Sequence, residues 1–174
     1  VNSEQIEMLN TRYGWAGELA EGKEVLEVAC GSGIGLGHLA ARAKRVVGGD
    51  YDPNLAEIAK QQYDDRIEVQ VMNAQSLPFS DASFDVVMLF EALYYLERPE
   101  LFVQEAHRVL RPDGLLLICS ANRERPDFNV SPFSIRYFSA RELQELLVEN
   151  GFSATIHAGF PLEPQGWKNQ VRQV

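Results

Sequence analysis

The chain has 174 residues, 45% of them hydrophobic and 24% charged, enough for one domain with a substantial core. Its formal net charge of −9 argues against gripping phosphate backbones, which depends on clustered Lys and Arg. No apolar run approaches a membrane span, no signal-peptide pattern opens the chain, and the two cysteines, Cys30 and Cys119, read as buried thiols of a reducing, cytoplasmic compartment.

In chain order, residues 3–20 predict an imperfect helix with Ile6, Leu9, Tyr13 and Ala16 or Gly17 on one side. A strand over 24–29 leads into a glycine-rich loop, then a helix over 35–43 with Leu36, Leu39, Ala40 and Ala43 at helical spacing. A second strand covers 45–50. Asp52 and Pro53 open the next helix, Asp as cap and Pro in the first turn, and Leu55, Ile58, Ala59 and Gln62 continue its face. Strands follow over 67–72 and 84–90. Pro99 opens a helix with Phe102, Ala106, Val109 and Leu110 inward, and Pro112-Asp113-Gly114 is a turn. The run 115–119 is continuously apolar, as in a strand buried on both faces. Residues 122–138 form a long loop rich in Pro, Asn and Ser. Ser139 and Glu142 make a capping box for a helix that ends at Gly151, and 152–160 predicts a sixth strand. The tail has no clear pattern. Alternating strands and helices argue for an α/β fold, a mostly parallel sheet with helices on both faces.

The stretch Glu27-Val28-Ala29-Cys30-Gly31-Ser32-Gly33-Ile34-Gly35 carries the chemistry. A dinucleotide fingerprint, G-x-G-x-x-G, fits neither register: the sixth position is Leu36 from Gly31 and His38 from Gly33. A phosphate-binding P-loop needs a Lys that this loop lacks. What remains is an acidic residue followed by G-x-G-x-G. Glu27 would repel a pyrophosphate and attract an ammonium or a sulfonium. The glycines let backbone approach a ligand, and free N–H groups at the start of the next helix suit a carboxylate. The loop therefore fits a zwitterionic amino-acid end. Asp50, closing the second strand, can accept from two ribose hydroxyls.

With residues 46–52, 72–87 and 105–118 in the right order, this stretch resembles the class I S-adenosylmethionine-dependent methyltransferases, in the broad small-molecule (type 11-like) group. The resemblance spans residues 23–160. It implies a Rossmann-like doubly wound sheet, preceded by an N-terminal helical segment (1–22) and followed by a tail (161–174). It also implies a seventh, antiparallel strand beside the fifth. Six strands are legible, so either the tail holds a poor seventh strand or the chain is a piece of something longer. On the resemblance, Glu27, Ala29, Gly31 and Gly33 line the methionine part of S-adenosylmethionine. Asp50 holds the ribose and Tyr51 lies against the adenine. Asn73, where relatives often carry Asp, and Ala74 contact the adenine. Phe90 borders the methyl group, and Tyr13 reaches in from before the first strand.

The acceptor would approach residues 90–96 under the loop 123–138, whose Phe128, Phe133, Arg136 and Tyr137 offer a lid or wall. Many relatives place a His near Tyr94 and Tyr95, and this chain has none. Glu91, Tyr94 or Tyr95 would then orient or deprotonate the acceptor; walling the pocket is an equal reading for the tyrosines. His38, His107 and His157 read as surface or structural residues, and no metal-ligand cluster is present. The expected function is methyl transfer to a small-molecule or saccharide acceptor, by a monomer or homodimer with no nucleic-acid or membrane partner. A catalytically silent cofactor-binding domain is the alternative, and an NAD-type oxidoreductase is disfavoured by Glu27 and the failed fingerprint.

Overall fold

The computed structural model describes residues 3–125 and 128–157. Helix α1 (Ser3–Leu19) precedes β1 (Glu24–Val28), α2 (Leu36–Ala40), β2 (Arg45–Asp50), α3 (Pro53–Tyr63), β3 (Glu68–Val71), β4 (Phe84–Phe90), α4 (Pro99–Val109), β5 (Leu110–Cys119) and α5 (Ala140–Glu149). The strands form one sheet in the order β3-β2-β1-β4-β5, every pair parallel. Parallel neighbours require crossovers, and here each crossover runs across a face of the sheet.

The two faces bury separate cores. Val25, Val46, Val86 and Met88 pack with Ala16 of α1, Leu36 and Leu39 of α2, and Ala56, Ala59 and Tyr63 of α3. Leu26, Val28, Val87 and Leu89 pack with Phe102, Val103, Ala106 and Val109 of α4 and with Leu143, Leu146 and Leu147 of α5. Side chains alternate along a strand, so Glu27 shares Val25's face and is directed into the first core. Strand order reverses between β1 and β4. At such a switch point, the carboxyl ends of neighbouring strands splay and leave a crevice.

Local signals place the helix ends. Asp52 accepts from the Asn54 N–H at 2.8 Å ahead of Pro53, and the Ser139–Glu142 capping box is complete. Gly151, at φ 91°, ends α5.

Four expectations need correction. First, α3 turns Ala56, Ala59 and Tyr63 inward, while Ile58 is half-exposed and Gln62 exposed. Small residues win because α3 presses on the glycine loop: a Cβ on Gly33 would lie 2.9 Å from the Ala59 Cβ. Second, α2 has five residues rather than nine, so its dipole is small. Third, β5 starts at Leu110, and Pro112-Asp113-Gly114 is a kink within it. The pairing with β4 slips between Phe84 and Val86 there, and Asp113 takes φ 63°. Fourth, residues 152–157 pair with no strand. Phe152, Ala154 and Ile156 are half-buried and their neighbours exposed, so the alternation survives without a hydrogen-bond ladder. Residues 158–160 of that expected strand, and the tail sought for a seventh, lie outside the described residues.

Candidate cofactor and acceptor site

The switch-point rule puts the crevice at the carboxyl ends of β1, β2 and β4. Two non-glycine residues there take left-handed backbone angles, Ala29 at φ 58° after β1 and Glu91 at φ 52° after β4. Each costs about 1–3 kcal/mol, strain that folds tend to concentrate at functional edges. Gly31 and Gly33 share that conformation, at φ 58° and 83°. Tyr63 pins the loop from α3, donating to the Gly33 carbonyl at 2.8 Å and accepting from the Gly37 N–H at 3.0 Å.

Glu27 is buried, at 1% exposure. Its Oε1 accepts the Tyr13 phenol from α1, and its Oε2 has no partner. Burial raises the carboxyl to about 7, against the pull of the Tyr13 hydrogen bond. Burial also raises the Tyr13 phenol, and the Glu27 charge adds to it. The Tyr13 ring lies so close to Gly35 that a Cβ there would sit 1.9 Å from it, and it packs 5.5 Å from the Phe90 ring. Tyr13, Glu27, Phe90 and the glycine loop therefore meet at one point.

Asp50 is buried and braces the turn: Oδ2 accepts from Gly31 N–H at 2.8 Å and Oδ1 from Asp52 N–H at 2.9 Å. Each carboxylate oxygen retains a lone pair for a hydroxyl. Tyr51 beside it is 75% exposed, an open aromatic face. Asn73 is exposed, and its Oδ1 already accepts from the Gln75 N–H at 2.9 Å. The Ala74 side chain is buried in the second core, which leaves its backbone as the part nearest the crevice. The loop that follows is held from α4. Arg108 of α4 donates to the Leu77 and Phe79 carbonyls and pairs with Glu105 and Asp81. The Arg-Glu spacing on a helix gave no sign of a loop partner.

On the acceptor side, both oxygens of Glu91 are engaged. Oε1 pairs with Arg12 at 2.6 Å, and Oε2 accepts from the Tyr94 hydroxyl at 3.2 Å. Tyr94 is buried, which together with Glu91 raises its phenol. Its ring stacks on Tyr137 at 4.4 Å, and Phe128 meets Tyr137 edge-on. Tyr95 is half-exposed and shares a 2.7 Å hydrogen bond with Ser131. Ile135 and Arg136 donate their N–H groups to the Tyr94 carbonyl, so residues 128–138 dock on the segment after β4. Phe133 is 95% exposed and off this wall. His38 stacks on Tyr13 and His107 meets Phe152 edge-on, both histidines exposed to solvent. Among the described residues no cluster of His, Cys, Asp and Glu could hold a metal, and no helix is long and apolar enough to cross a membrane.

A buried carboxylate beside a left-handed glycine turn, with a second carboxylate closing β2, sets the class. Residues 26–118 match the methyltransferase domain family, and the chain belongs to it, as a class I S-adenosylmethionine-dependent member. A Mycolicibacterium smegmatis protein named "Probable S-adenosylmethionine-dependent methyltransferase" is 39% identical over 135 residues, covering 75% of this chain and 52% of the relative. Demethylmenaquinone methyltransferase of Clavibacter sepedonicus is 35% identical over 100 residues, covering 56% and 41%. The crystal structure of a SAM-dependent methyltransferase from Aquifex aeolicus shares the fold: TM-score 0.77 at 21% identity, covering 91% of this chain and 88% of that one. The chain spans about half the length of these two curated relatives.

Proposed function

We propose that the chain transfers a methyl group from S-adenosylmethionine to a small ring-bearing acceptor, an aromatic metabolite or a saccharide. Glu27 carries the reading. A carboxylate this deeply buried, with one oxygen unpartnered, is costly unless a cation arrives to meet it. The ammonium of the cofactor's amino-acid end is such a cation. Ala29, Gly31 and Gly33 line that end, Asp50 takes the ribose hydroxyls, and Tyr51 covers the adenine. Asn73 and the Ala74 backbone meet the adenine edge. Phe90 borders the reacting centre and keeps it dry. The binding unit is residues 23–160, with Tyr13 and Arg12 contributed by the segment before it.

Bound S-adenosylmethionine supplies a methyl group activated on a sulfonium. The chain's own task is alignment and exclusion of water. Glu91, held by Arg12 and Tyr94, is a rigid post for orienting the acceptor. Tyr94 and Tyr95 form a wall with Tyr137 and Phe128, a surface suited to a flat or sugar ring. The name of the Clavibacter relative supports a quinone-like ring; a saccharide rests on the aromatic wall alone. The purified chain with methyl-labelled S-adenosylmethionine should label at least one member of a panel of phenols, quinols and glycosides. If S-adenosylhomocysteine binds but the panel and a metabolite extract all stay unlabelled, the chain is a silent cofactor-binding domain.

A further inference from the structure

We propose that Tyr13 is the positioning residue for Glu27: its phenol holds one oxygen of the buried carboxylate, favours the charged form, and leaves the other oxygen unpartnered for the cofactor's ammonium. The proposal rests on the cofactor reading above. It starts from a conflict. Glu27 sits on a core face between Val25 and the glycine loop, at 1% exposure, and Tyr13 is the one hydrogen-bond partner its carboxylate has among the described residues.

The surroundings leave Tyr13 alone in that task. On α1, Arg12 is turned to Glu91, 2.6 Å away. On the glycine loop and β5, burial raises the Cys30 and Cys119 thiols to about 12 and about 11, so both keep their protons; Cys30 donates its own to the Gly31 carbonyl at 3.6 Å, and neither thiol bonds to Glu27. Asp50, at the end of β2, is occupied by the Gly31 and Asp52 N–H groups. Glu91, at the end of β4, is occupied by Arg12 and Tyr94. His38 of α2 stacks on the outer face of the Tyr13 ring. None of these offers Glu27 a proton donor. The Tyr13 bond lowers a carboxyl that burial alone would push above about 7. Without the hydroxyl, Glu27 would be protonated at neutral pH and present no charge to an ammonium.

Tyr13→Phe removes that hydroxyl and keeps the ring against Gly35 and Phe90. The experiment is calorimetric titration of S-adenosylhomocysteine into wild type and Tyr13→Phe across pH, with Glu27→Gln and the double variant beside them. A charge-assisted hydrogen bond is worth about one pKa unit or more, so Tyr13→Phe should bind about five-fold more weakly than wild type at neutral pH and nearly equally about two units higher. The cofactor's own amine titrates alike in every arm and cancels in the ratio. In the Glu27→Gln background the Tyr13→Phe ratio should not change with pH. A ratio constant with pH in the wild-type background would mean that Tyr13 only packs, and would overturn the proposal. If the folded wild type binds no S-adenosylhomocysteine, the cofactor reading fails instead. Carbon-13 NMR titration of the Glu27 carboxyl in the free chain then decides: its midpoint should rise in Tyr13→Phe, and an unmoved midpoint overturns the proposal.

Discussion

Replacing Glu27 by Gln tests the cost of the buried carboxylate without any ligand. The carboxyl has an ordinary value of 4.5 and titrates at about 7 in the fold. That gap of about 2.5 units corresponds to about 3 kcal/mol. Because the folded value is the higher one, the folded state holds the extra proton. Stability from this group is therefore full at acid pH and is lost as pH rises from the ordinary value through about 7. Between about pH 5.5 and about pH 8 the loss is about 2 kcal/mol. For a chain of this size that is about 4–8 °C in Tm. Glu27→Gln cannot ionise and escapes the loss. Melting followed by circular dichroism should show the variant gaining on wild type by that amount across the window. A Tm difference that stays constant with pH would falsify the assignment of a neutral-pH titration to Glu27.

Other substitutions probe the frame around the site. Phe102→Ala empties a fully buried position between α4 and the sheet and should cost about 3–5 kcal/mol in urea unfolding; a loss under about 1 kcal/mol would mean the second core is not packed as described. Gly35→Ala puts a methyl 1.9 Å from the Tyr13 ring, so α1 must shift. The expected signs are a changed near-UV spectrum and a loss of about 1–3 kcal/mol; an unchanged spectrum would place Tyr13 elsewhere. Ser139→Ala removes half of a complete capping box and should cost about 1 kcal/mol. Neutral behaviour there would count against α5 starting at Ala140.

Much of this fold was legible because its signals are local. Asp52-Pro53 and Ser139–Glu142 mark helix starts by side-chain chemistry that needs no tertiary partner, and both are present. The apolar runs became the strands of a parallel sheet because strands buried on both faces need no alternation. The elements misread are those that tertiary packing decides. Hydrophobicity favoured Ile58 as an inward residue, but close approach of α3 to the glycine loop selects Ala56 and Ala59. Alternation over 152–157 suggested a strand, and periodicity cannot report whether a neighbour supplies the ladder. At the site, Glu27 and Asp50 announced themselves by position. The Tyr13–Glu27 and Arg12–Glu91 contacts did not, since they join α1 to strand ends far along the chain. Tyr63 and Arg108, which fasten the two loops of the crevice, were likewise hidden behind ordinary helical positions.

The central claim is that the glycine turn and its two carboxylates form a site for a zwitterionic nucleoside. Calorimetric titration with S-adenosylhomocysteine tests it most directly, with NADH as control and Gly33→Val alongside. Gly33 has φ 83° and Ala59 close against it, so Val cannot be accommodated without moving the turn. The account predicts saturable binding of S-adenosylhomocysteine, none of NADH, and loss of binding in Gly33→Val. A folded chain that ignores S-adenosylhomocysteine, or binds NADH as well, would contradict it.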